Sequence, residues 1–212
     1  MTRTLAISDI HGHAEGLLSL LRMADYKPGA DRLYLLGDFI DADPATWGAL
    51  REVRELAEGG ARAVLGNMER WLLGEAVRKG KTASPASDID LAWLRRTPLS
   101  WREGDYLFVH AGIRPDLPLE RQEADDLTGI RQRFWGDDGA LPYTVVFGHT
   151  PTFKLGASPG ELWFGRDRIG IDTGAKHGHR LTLVDLSNRL AYSCSTGGAE
   201  GYGDYRRSSW ER

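Results

Sequence analysis

The sequence predicts an α/β fold in a single domain, and three observations lead to this prediction. Short apolar strands alternate with amphipathic helices through the first half of the chain, which is the element order of α/β proteins. The 212 residues, 41% of them hydrophobic and 27% charged, suit one globular domain. Five predicted strands also end on Asp, Asn or His. We therefore expect one domain over residues 1–212, with a peripheral tail from about residue 197.

The first half of the chain contains three predicted strands, each followed by a helix. Each strand is an apolar run of a few residues that ends at a polar residue or a glycine. Asp43 and Pro44 begin the second helix, because aspartate is a favoured N-cap and proline is favoured at the first helical position. The strands are expected at 4–7, 32–36 and 61–65, and the helices at 13–24, 43–58, 69–78 and 88–95.

The second half of the chain consists mainly of predicted strands. Apolar and β-branched runs predict three of them, and each is followed by a histidine or an aspartate near a glycine. Two further runs are close enough in sequence to form a closing hairpin. The three strands are expected at 105–109, 144–147 and 168–171, and the hairpin at 180–185 and 190–194.

Charge and composition exclude several classes of protein. The net charge of −3 argues against a sequence-independent nucleic-acid binder, although the short tail mixes aromatic and basic residues. The single cysteine, Cys194, allows no internal disulfide and is expected to be buried in a late strand. No apolar run reaches the length of a membrane span, and we expect no signal peptide because the apolar run at the N-terminus is too short. We expect a cytoplasmic enzyme without a membrane partner.

The residues at the strand ends form a set that suits divalent metal ions. Carboxyl ends of strands line the ligand crevice of α/β folds, so these side chains are expected to meet at one edge. Each alone is more typical of a helix cap or a buried histidine, but capping does not explain five strands together. Carboxylate, imidazole and amide ligands suit manganese, iron or zinc, and two such ions can clamp an in-line displacement at phosphorus. The set is Asp9, His11, Asp38, Asn67, His110 and His149.

The motifs that contain these residues resemble those of the phosphoprotein phosphatase family of calcineurin-like metallophosphoesterases. The similarity extends from about residue 4 to residue 188 and is closest to small bacterial and phage serine/threonine phosphatases; diadenosine tetraphosphate hydrolases belong to the same wider group. The matching stretches are Asp9-Ile10-His11-Gly12, Gly37-Asp38-Phe39-Ile40-Asp41, Gly66-Asn67-Met68-Glu69, His110-Ala111-Gly112-Ile113-Arg114-Pro115, Asp126-Leu127-Thr128-Gly129-Ile130-Arg131, Gly148-His149-Thr150 and Ile171-Asp172-Thr173-Gly174-Ala175.

The resemblance implies a central β-sandwich flanked by helices, and it implies a role for each residue of the set. Asp9 and His11 would bind the first metal ion, with Asp38 bridging to a second that is held by Asn67, His110 and His149. The ions would most readily be Mn²⁺, with iron or zinc as alternatives. Arg131 would orient the phosphate through paired hydrogen bonds. A metal-bridging hydroxide would attack phosphorus without a covalent enzyme intermediate.

Two positions depart from the family pattern, and both lie on the substrate side. Met68 stands where the family has a histidine that donates a proton to the leaving group, and Asp41 keeps the place of that histidine's partner. Ala42 stands where the family has a second arginine. General acid catalysis contributes about 10²–10⁴ in rate, and its loss matters most for a poor leaving group such as a serine alkoxide. Aryl phosphates, nucleotides or diesters are therefore expected to be better substrates than phosphoserine.

Several alternatives remain open at the level of sequence. The main interpretation is a phosphoprotein phosphatase-like phosphoesterase, and the substrate could be a phosphoprotein, an aryl phosphate or a nucleotide. One alternative is a nucleotide, diadenosine polyphosphate or phosphodiester hydrolase on the same scaffold. Another is a weakened protein that binds phosphate without turnover, and Met68 could also be a laboratory substitution. Residues that could replace the lost acid or the lost arginine are His177, His179, Arg70 and Arg114.

Overall fold

Two β-sheets pack face to face in the computed structural model, which describes residues 2–79, 86–198 and 201–211. The first sheet has the strand order β11-β10-β9-β1-β2-β3 and the second has the order β4-β5-β6-β8-β7. The strands are β1 (Thr4–Ile7), β2 (Arg32–Leu35), β3 (Arg62–Ala63), β4 (Ser100–Glu103), β5 (Tyr106–Val109), β6 (Thr144–Phe147), β7 (Trp163–Gly165), β8 (Arg168–Gly170), β9 (Arg180–Asp185), β10 (Leu190–Gly198) and β11 (Gly201–Ser209).

Helices cover the outer face of each sheet, so the molecule has four layers. Helices α1 to α4 pack on the first sheet through a core that includes Leu17, Leu50 and Leu72. Helices α5 and α6 pack on the second sheet through Leu127 and Phe134. The helices are α1 (Ala14–Met23), α2 (Ala49–Glu58), α3 (Asn67–Lys79), α4 (Asp88–Leu94), α5 (Ala124–Gly129) and α6 (Gln132–Trp135).

Side chains alternate along the strands between the helix-covered face and the face between the sheets. In β1, Leu5 and Ile7 join the helix-side core, whereas Ala6 joins the core between the sheets. Tyr34 of β2 stacks on Phe108 of β5 across that interior, with ring centroids 3.6 Å apart. This period of two follows from strand geometry, and burial on both faces explains why the strands read as continuous apolar runs. The predicted β-sandwich flanked by helices is therefore confirmed.

Three parallel strands of each sheet end at the same edge of the sandwich. In the first sheet β1, β2 and β3 are mutually parallel, and in the second β5, β6 and β8 are. The loops that follow these six strands carry the residues singled out from the sequence. The remaining strands run antiparallel to their neighbours and extend the sheets sideways.

The structure differs from the sequence prediction in a few elements. The segment expected as a helix from residue 43 begins as a 3₁₀ turn, Pro44–Gly48, before α2, although Asp43 caps it by accepting a hydrogen bond from Ala45 N. Strands β4 and β7 and helices α5 and α6 were not predicted. The tail contributes β11, which pairs with β10 at the edge of the first sheet. Cys194 is buried, as predicted. None of the helices in the described part of the chain could span a membrane.

Candidate metal centre

The six parallel strands deliver their polar side chains to one small region. Asp9 and His11 follow β1, Asp38 follows β2 and Asn67 follows β3; His110, His149 and Asp172 follow β5, β6 and β8. Four of these residues, Asp9, His11, Asp38 and His149, have left-handed backbone conformations, with φ of 52°, 44°, 50° and 65°. Such conformations cost energy for residues other than glycine and cluster at functional sites, where the surrounding structure holds them in place.

Two groups of potential metal ligands share the carboxylate of Asp38. One group is Asp9, His11 and Asp38, the other is Asp38, His110 and His149, and the ligand atoms of each group lie within 4.8 Å of one another. His11 Nε2 is 3.9 Å from Asp38 Oδ2, whereas His110 Nε2 is 3.4 Å from Asp38 Oδ1. The two oxygens of Asp38 thus face different groups, an arrangement in which one carboxylate can serve both.

Backbone carbonyls orient two of the histidines. His11 Nδ1 lies 3.1 Å from the carbonyl oxygen of Ile40, and His110 Nδ1 lies 2.7 Å from that of Leu36. A carbonyl can only accept, so each Nδ1 carries a proton, and Nε2 is the nitrogen that can bind a metal ion once its own proton has left. His110 Nε2 also lies 3.2 Å from Asn67 Oδ1, which brings the amide oxygen into the second group.

His149 provides a direct test of whether the residues fit a metal ion. Its backbone N–H donates to Asp9 Oδ2 at 2.9 Å, which connects the two groups. Its Nε2 is buried and has no hydrogen-bond partner. Burial and the nearby His110 lower the pKa of His149 to about 3, so its ring is neutral at physiological pH. A buried, unprotonated and unpartnered imidazole nitrogen is what a metal ligand offers, and the residues therefore fit divalent metal ions.

The charges around Asp38 also call for cations. Burial alone would raise the pKa of Asp9, yet the hydrogen bond and charge of His11 and the charge of His110 lower it to about 2. His11 responds in the opposite sense: burial would lower its pKa, but Asp9 and Asp38 raise it to about 9. In the metal-free chain His11 and His110, whose pKa values are raised, therefore supply the positive charge that buried carboxylates need, and metal ions would take over that role.

Glu69 was not identified as a site residue from the sequence, although it lies in the Gly66-Asn67-Met68-Glu69 motif. Its buried carboxylate accepts hydrogen bonds from the backbone N–H groups of Asp38 and Phe39, both at 2.8 Å, and of Gly66 at 2.9 Å. Burial and the charge of Asp38 raise the pKa of Glu69 to about 7. Glu69 thus fixes the loop after β2 against the loop after β3, and with it the position of Asp38.

Asp172 is a second residue that the sequence analysis did not assign to the site. It is buried, and Gly174 N donates to its Oδ1 at 3.0 Å. Burial and the charge of Asp9 raise the pKa of Asp172 well above its usual range. The same strand-end pattern that identified Asp9 and Asp38 would have identified Asp172, because it directly follows the predicted strand at 168–171.

We expect saturating Mn²⁺ to raise the melting temperature of this protein by about 5–10 °C. A ligand at a hundred times its dissociation constant stabilises the native state by about 2.7 kcal/mol, and 1 kcal/mol corresponds to about 2–4 °C for a chain of this size. Differential scanning fluorimetry with and without Mn²⁺ measures the shift, which excess EDTA should reverse. The shift should be smaller in a His149→Ala variant, and its absence in the native chain would contradict a metal centre.

The ligand groups lie in a cavity of about 210 Å³ whose wall carries several basic side chains. Asp9, His11, Asp38, His149 and Asp172 belong to its lining, as does the exposed side chain of Arg131. Of the two loop histidines considered as substitute acids, His177 lines the cavity and His179 is not part of its lining. The other basic residues of the lining are Lys154 and Lys176.

Arg70 and Arg114 were candidates to replace the family arginine that is absent at position 42, and both make surface ion pairs. Arg70 donates to Thr128 Oγ1 at 2.7 Å and pairs with Asp125, and Arg114 pairs with Asp116 at 2.8 Å. Neither arginine lines the cavity. Surface ion pairing, the simpler interpretation of both arginines, therefore fits them better than a role in gripping the phosphate, and Arg131 and the two lysines are the basic residues that line the cavity with His177.

Asp41 keeps the family aspartate position, but its side chain pairs with Lys176 and not with residue 68. Met68 packs against the helix-side core of the first sheet, and only its backbone N–H reaches the site, where it donates to Asp38 Oδ1 at 2.9 Å. Lys176 donates to Asp41 Oδ1 at 2.9 Å and lies 2.9 Å from Oδ2. Burial would raise the pKa of Asp41, but Lys176 and the N–H of Ala42 lower it. Asp41 is therefore an ionised partner of a lysine rather than of a histidine.

Comparison with known proteins is consistent with this geometry. The model of the calcineurin-like phosphoesterase family matches residues 2–184. A symmetrical bis(5'-nucleosyl)-tetraphosphatase from Aromatoleum aromaticum is 34% identical, over 91% of this chain and 96% of that protein. One from Shigella dysenteriae is 36% identical over 60% of this chain. That match, like others to enzymes of the same name, spans about half of the relative's length.

Solved structures show the same architecture. The crystal structure of a proposed diadenosine tetraphosphatase superimposes with a TM-score of 0.74 and 28% identity, covering 91% of this chain and 92% of the other. A cold-active protein tyrosine phosphatase superimposes with a TM-score of 0.61 over 98% of this chain, but at 17% identity this likeness concerns the fold alone. From the match over residues 2–184 and these similarities, the chain belongs to the calcineurin-like phosphoesterase family.

Proposed function

We propose that this protein hydrolyses dinucleoside polyphosphates, with two divalent metal ions held by its strand-end residues. The observation that carries the proposal is the shared carboxylate of Asp38, whose two oxygens face two separate groups of ligands. Two adjacent ions in such an arrangement suit displacement at phosphorus. The proposed ligands are Asp9, His11 and Asp38 for one ion, and Asp38, Asn67, His110 and His149 for the other, with Mn²⁺ as the first candidate and iron or zinc as alternatives.

The relatives favour a nucleotide substrate over a phosphoprotein. Three relatives that are 33–36% identical to this chain are each called a symmetrical bis(5'-nucleosyl)-tetraphosphatase. The charge of the cavity agrees, because Arg131, Lys154 and Lys176 line it together. Several cations suit a chain of phosphates better than a single phosphomonoester. By analogy, we propose that a tetraphosphate is cleaved in the middle into two nucleoside diphosphates.

The leaving group fits the loss of the family histidine. Met68 has no proton to donate, and a serine alkoxide leaves poorly without one. A nucleoside diphosphate is a far weaker base and leaves as an anion, so it needs less proton transfer. The substitution at residue 68 therefore costs less with a polyphosphate than with a phosphoserine peptide.

The residues of the chain have distinct parts in this reaction. Bound metal ions would supply an activated water and neutralise the charge that develops on the phosphate oxygens. Arg131 would donate two parallel hydrogen bonds to the phosphate that is attacked, as a guanidinium does well. Glu69 holds the backbone of Asp38 and thereby keeps the shared carboxylate in position. His11 and His110, whose Nδ1 atoms face backbone carbonyl groups, would each bind an ion through Nε2.

The substrate proposal predicts a clear order of activities with Mn²⁺. We expect kcat/KM for diadenosine tetraphosphate to exceed that for a phosphoserine peptide by at least about 10²-fold. This factor is the lower end of the rate loss expected when a general acid is missing. An aryl phosphomonoester and an aryl phosphodiester should fall between them. Anion-exchange chromatography of the products should show ADP as the main nucleotide. The Met68→His variant should improve the phosphoserine peptide more than the tetraphosphate.

Three other outcomes would overturn the substrate proposal in different ways. A preference for the phosphoserine peptide would favour the phosphoprotein phosphatase interpretation. A preference for the aryl diester over the tetraphosphate would favour a phosphodiesterase. Binding of Mn²⁺ without turnover of any of the four compounds would favour a phosphate-binding protein that has lost catalysis.

A further inference from the structure

We infer that Lys176, anchored by Asp41, and Lys154 form a subsite for the phosphates of the leaving nucleotide. This inference rests on the proposed function, because it concerns the part of a polyphosphate that extends beyond the metal centre. The two lysines lie on separate short turns, Ala175–His177 and Thr152–Lys154, that follow β8 and β6. We refer to Lys154 and Lys176 together as the lysine pair.

The backbone around Lys176 places its ammonium group in a defined position. The turn that carries it lies between Gly174 and Gly178, whose φ values of 90° and 72° favour glycine. A Cβ at Gly174 would lie 2.9 Å from the ring of His179, so the turn is tightly packed. The ammonium group is then held by both carboxylate oxygens of Asp41, which is 135 residues away in sequence.

Asp41 is itself fixed by its own loop. Its backbone N–H donates to Thr46 Oγ1 at 2.8 Å, and Trp47 Nε1 donates to its carbonyl oxygen at 2.8 Å. The Ala42 N–H donates to its carboxylate. An anchor of this kind reduces the rotational freedom that a lysine would lose on binding a ligand. Asp41 is thus a positioning residue for Lys176.

Lys176 keeps the capacity to bind an anion. An ammonium group has three N–H donors, and the two oxygens of Asp41 accept at most two of them. The side chain is 43% exposed and lines the cavity that holds the ligand groups. Lys154 lines the same cavity, and its Nζ lies 5.9 Å from the centre of the Phe153 ring. Both ammonium groups can therefore reach a ligand that enters this cavity.

Lys176 and Arg131 lie near different ends of the metal centre. Lys176 pairs with Asp41, and the carbonyl oxygen of the residue before Asp41 lies 3.1 Å from His11 Nδ1. Arg131 comes two residues after Gly129, whose backbone is hydrogen-bonded to His149. His11 belongs to the first ligand group and His149 to the second. In an in-line displacement the attacking and leaving oxygens lie on opposite sides of phosphorus. With Arg131 on the attacked phosphate, Lys176 on the His11 side is available for the phosphates that leave.

The chemistry of the ligand follows from this arrangement. A phosphomonoester ends at the phosphate that the metal ions and Arg131 would bind, and its aryl or alkyl group offers no anionic oxygen to an ammonium group. A tetraphosphate cleaved in the middle has two further phosphates on the leaving side, and these can accept charge-assisted hydrogen bonds. The lysine pair would therefore discriminate polyphosphates from monoesters.

The test compares two substrates in the Mn²⁺-loaded enzyme. For Lys176→Met we expect KM for diadenosine tetraphosphate to rise about tenfold, the size of one charge-assisted hydrogen bond, while kcat/KM for an aryl phosphomonoester changes less than about twofold. Lys176→Arg should restore most of the tetraphosphate affinity. Asp41→Asn should raise KM by about threefold, and Lys154→Met should act in the same direction. Lys27→Met is the matched control, since Lys27 is exposed and pairs with Asp25 outside the cavity.

A binding measurement separates this inference from the proposed function. Isothermal titration of Mn²⁺-loaded protein with inorganic tripolyphosphate should show weaker binding in Lys176→Met than in the native chain and in Lys27→Met. Equal effects of Lys176→Met on both substrates, or unchanged tripolyphosphate affinity, would overturn the inference even if the tetraphosphate is hydrolysed. Failure of the native chain to hydrolyse the tetraphosphate would overturn the proposed function, and the titration would still decide the role of Lys176.

Discussion

Replacing Asp38 with asparagine is expected to lower kcat for every phosphate ester that this protein hydrolyses by about 10³–10⁴-fold. The two oxygens of Asp38 face separate ligand groups, and an amide offers one weaker, neutral oxygen in their place. Metal ions contribute several kcal/mol to such reactions, and 1.36 kcal/mol corresponds to a factor of ten. The amide would also face Met68 N–H, which now donates to Oδ1 at 2.9 Å.

Steady-state rates and the metal content of the purified variant measure this effect together. The native chain should retain two Mn²⁺ ions after removal of free metal, and Asp38→Asn should retain fewer. Asp116→Asn is the matched control, because Asp116 is an exposed carboxylate that pairs with Arg114 away from the cavity. Near-native rates and metal content in Asp38→Asn would exclude a bridging role for Asp38.

Much of this centre was predictable because its residues obey a local rule. Asp9, Asp38 and His110 each follow a short apolar strand, and parallel strands in α/β proteins bring their carboxyl ends together. The prediction needed no knowledge of how the two sheets pack. Asp172 obeys the same rule and could have been included. The roles of these residues as metal ligands remain predictions.

The features that the sequence did not predict depend on long-range contacts or lack an apolar signal. The pairing of Lys176 with Asp41 joins segments 135 residues apart, and neither residue type indicates its partner. Glu69 positions Asp38 by accepting hydrogen bonds from the backbone of the loop after β2, and the sequence of the motif does not reveal this long-range contact. Strand β11 is largely exposed, β4 is only partly buried, and both are rich in polar residues, so they lack the apolar alternation that reveals a strand.

Gly148→Ala is expected to reduce kcat/KM by about 10²-fold, because the added methyl group would displace the carboxylate of Asp9. A small misplacement of a catalytic group costs about this much in rate. An added Cβ would overlap Asp9 Oδ2 and would lie 2.5 Å from Ser8 Oγ. Gly148 N–H donates to the carbonyl oxygen of His110 at 2.7 Å, so the backbone cannot easily move away. The carboxylate of Asp9 must therefore rotate, and it then loses the N–H of His149.

Gly74→Ala separates this effect from a general effect of replacing glycine. Gly74 lies in α3 with no atom within 4 Å of an added Cβ, so alanine there should stabilise the protein by about 0.5–1 kcal/mol and leave activity unchanged. Gly148→Ala should instead lower the free energy of unfolding by about 1–3 kcal/mol, as overpacking does, and weaken the Mn²⁺-induced thermal shift.

Native activity in Gly148→Ala would mean that the reaction does not depend on the position of the Asp9 carboxylate, and the assignment of Asp9 to the first ion would have to be abandoned. A loss of the metal-induced shift with native-like circular dichroism would show that the space beside Gly148 is kept free for the metal ligand and not for folding.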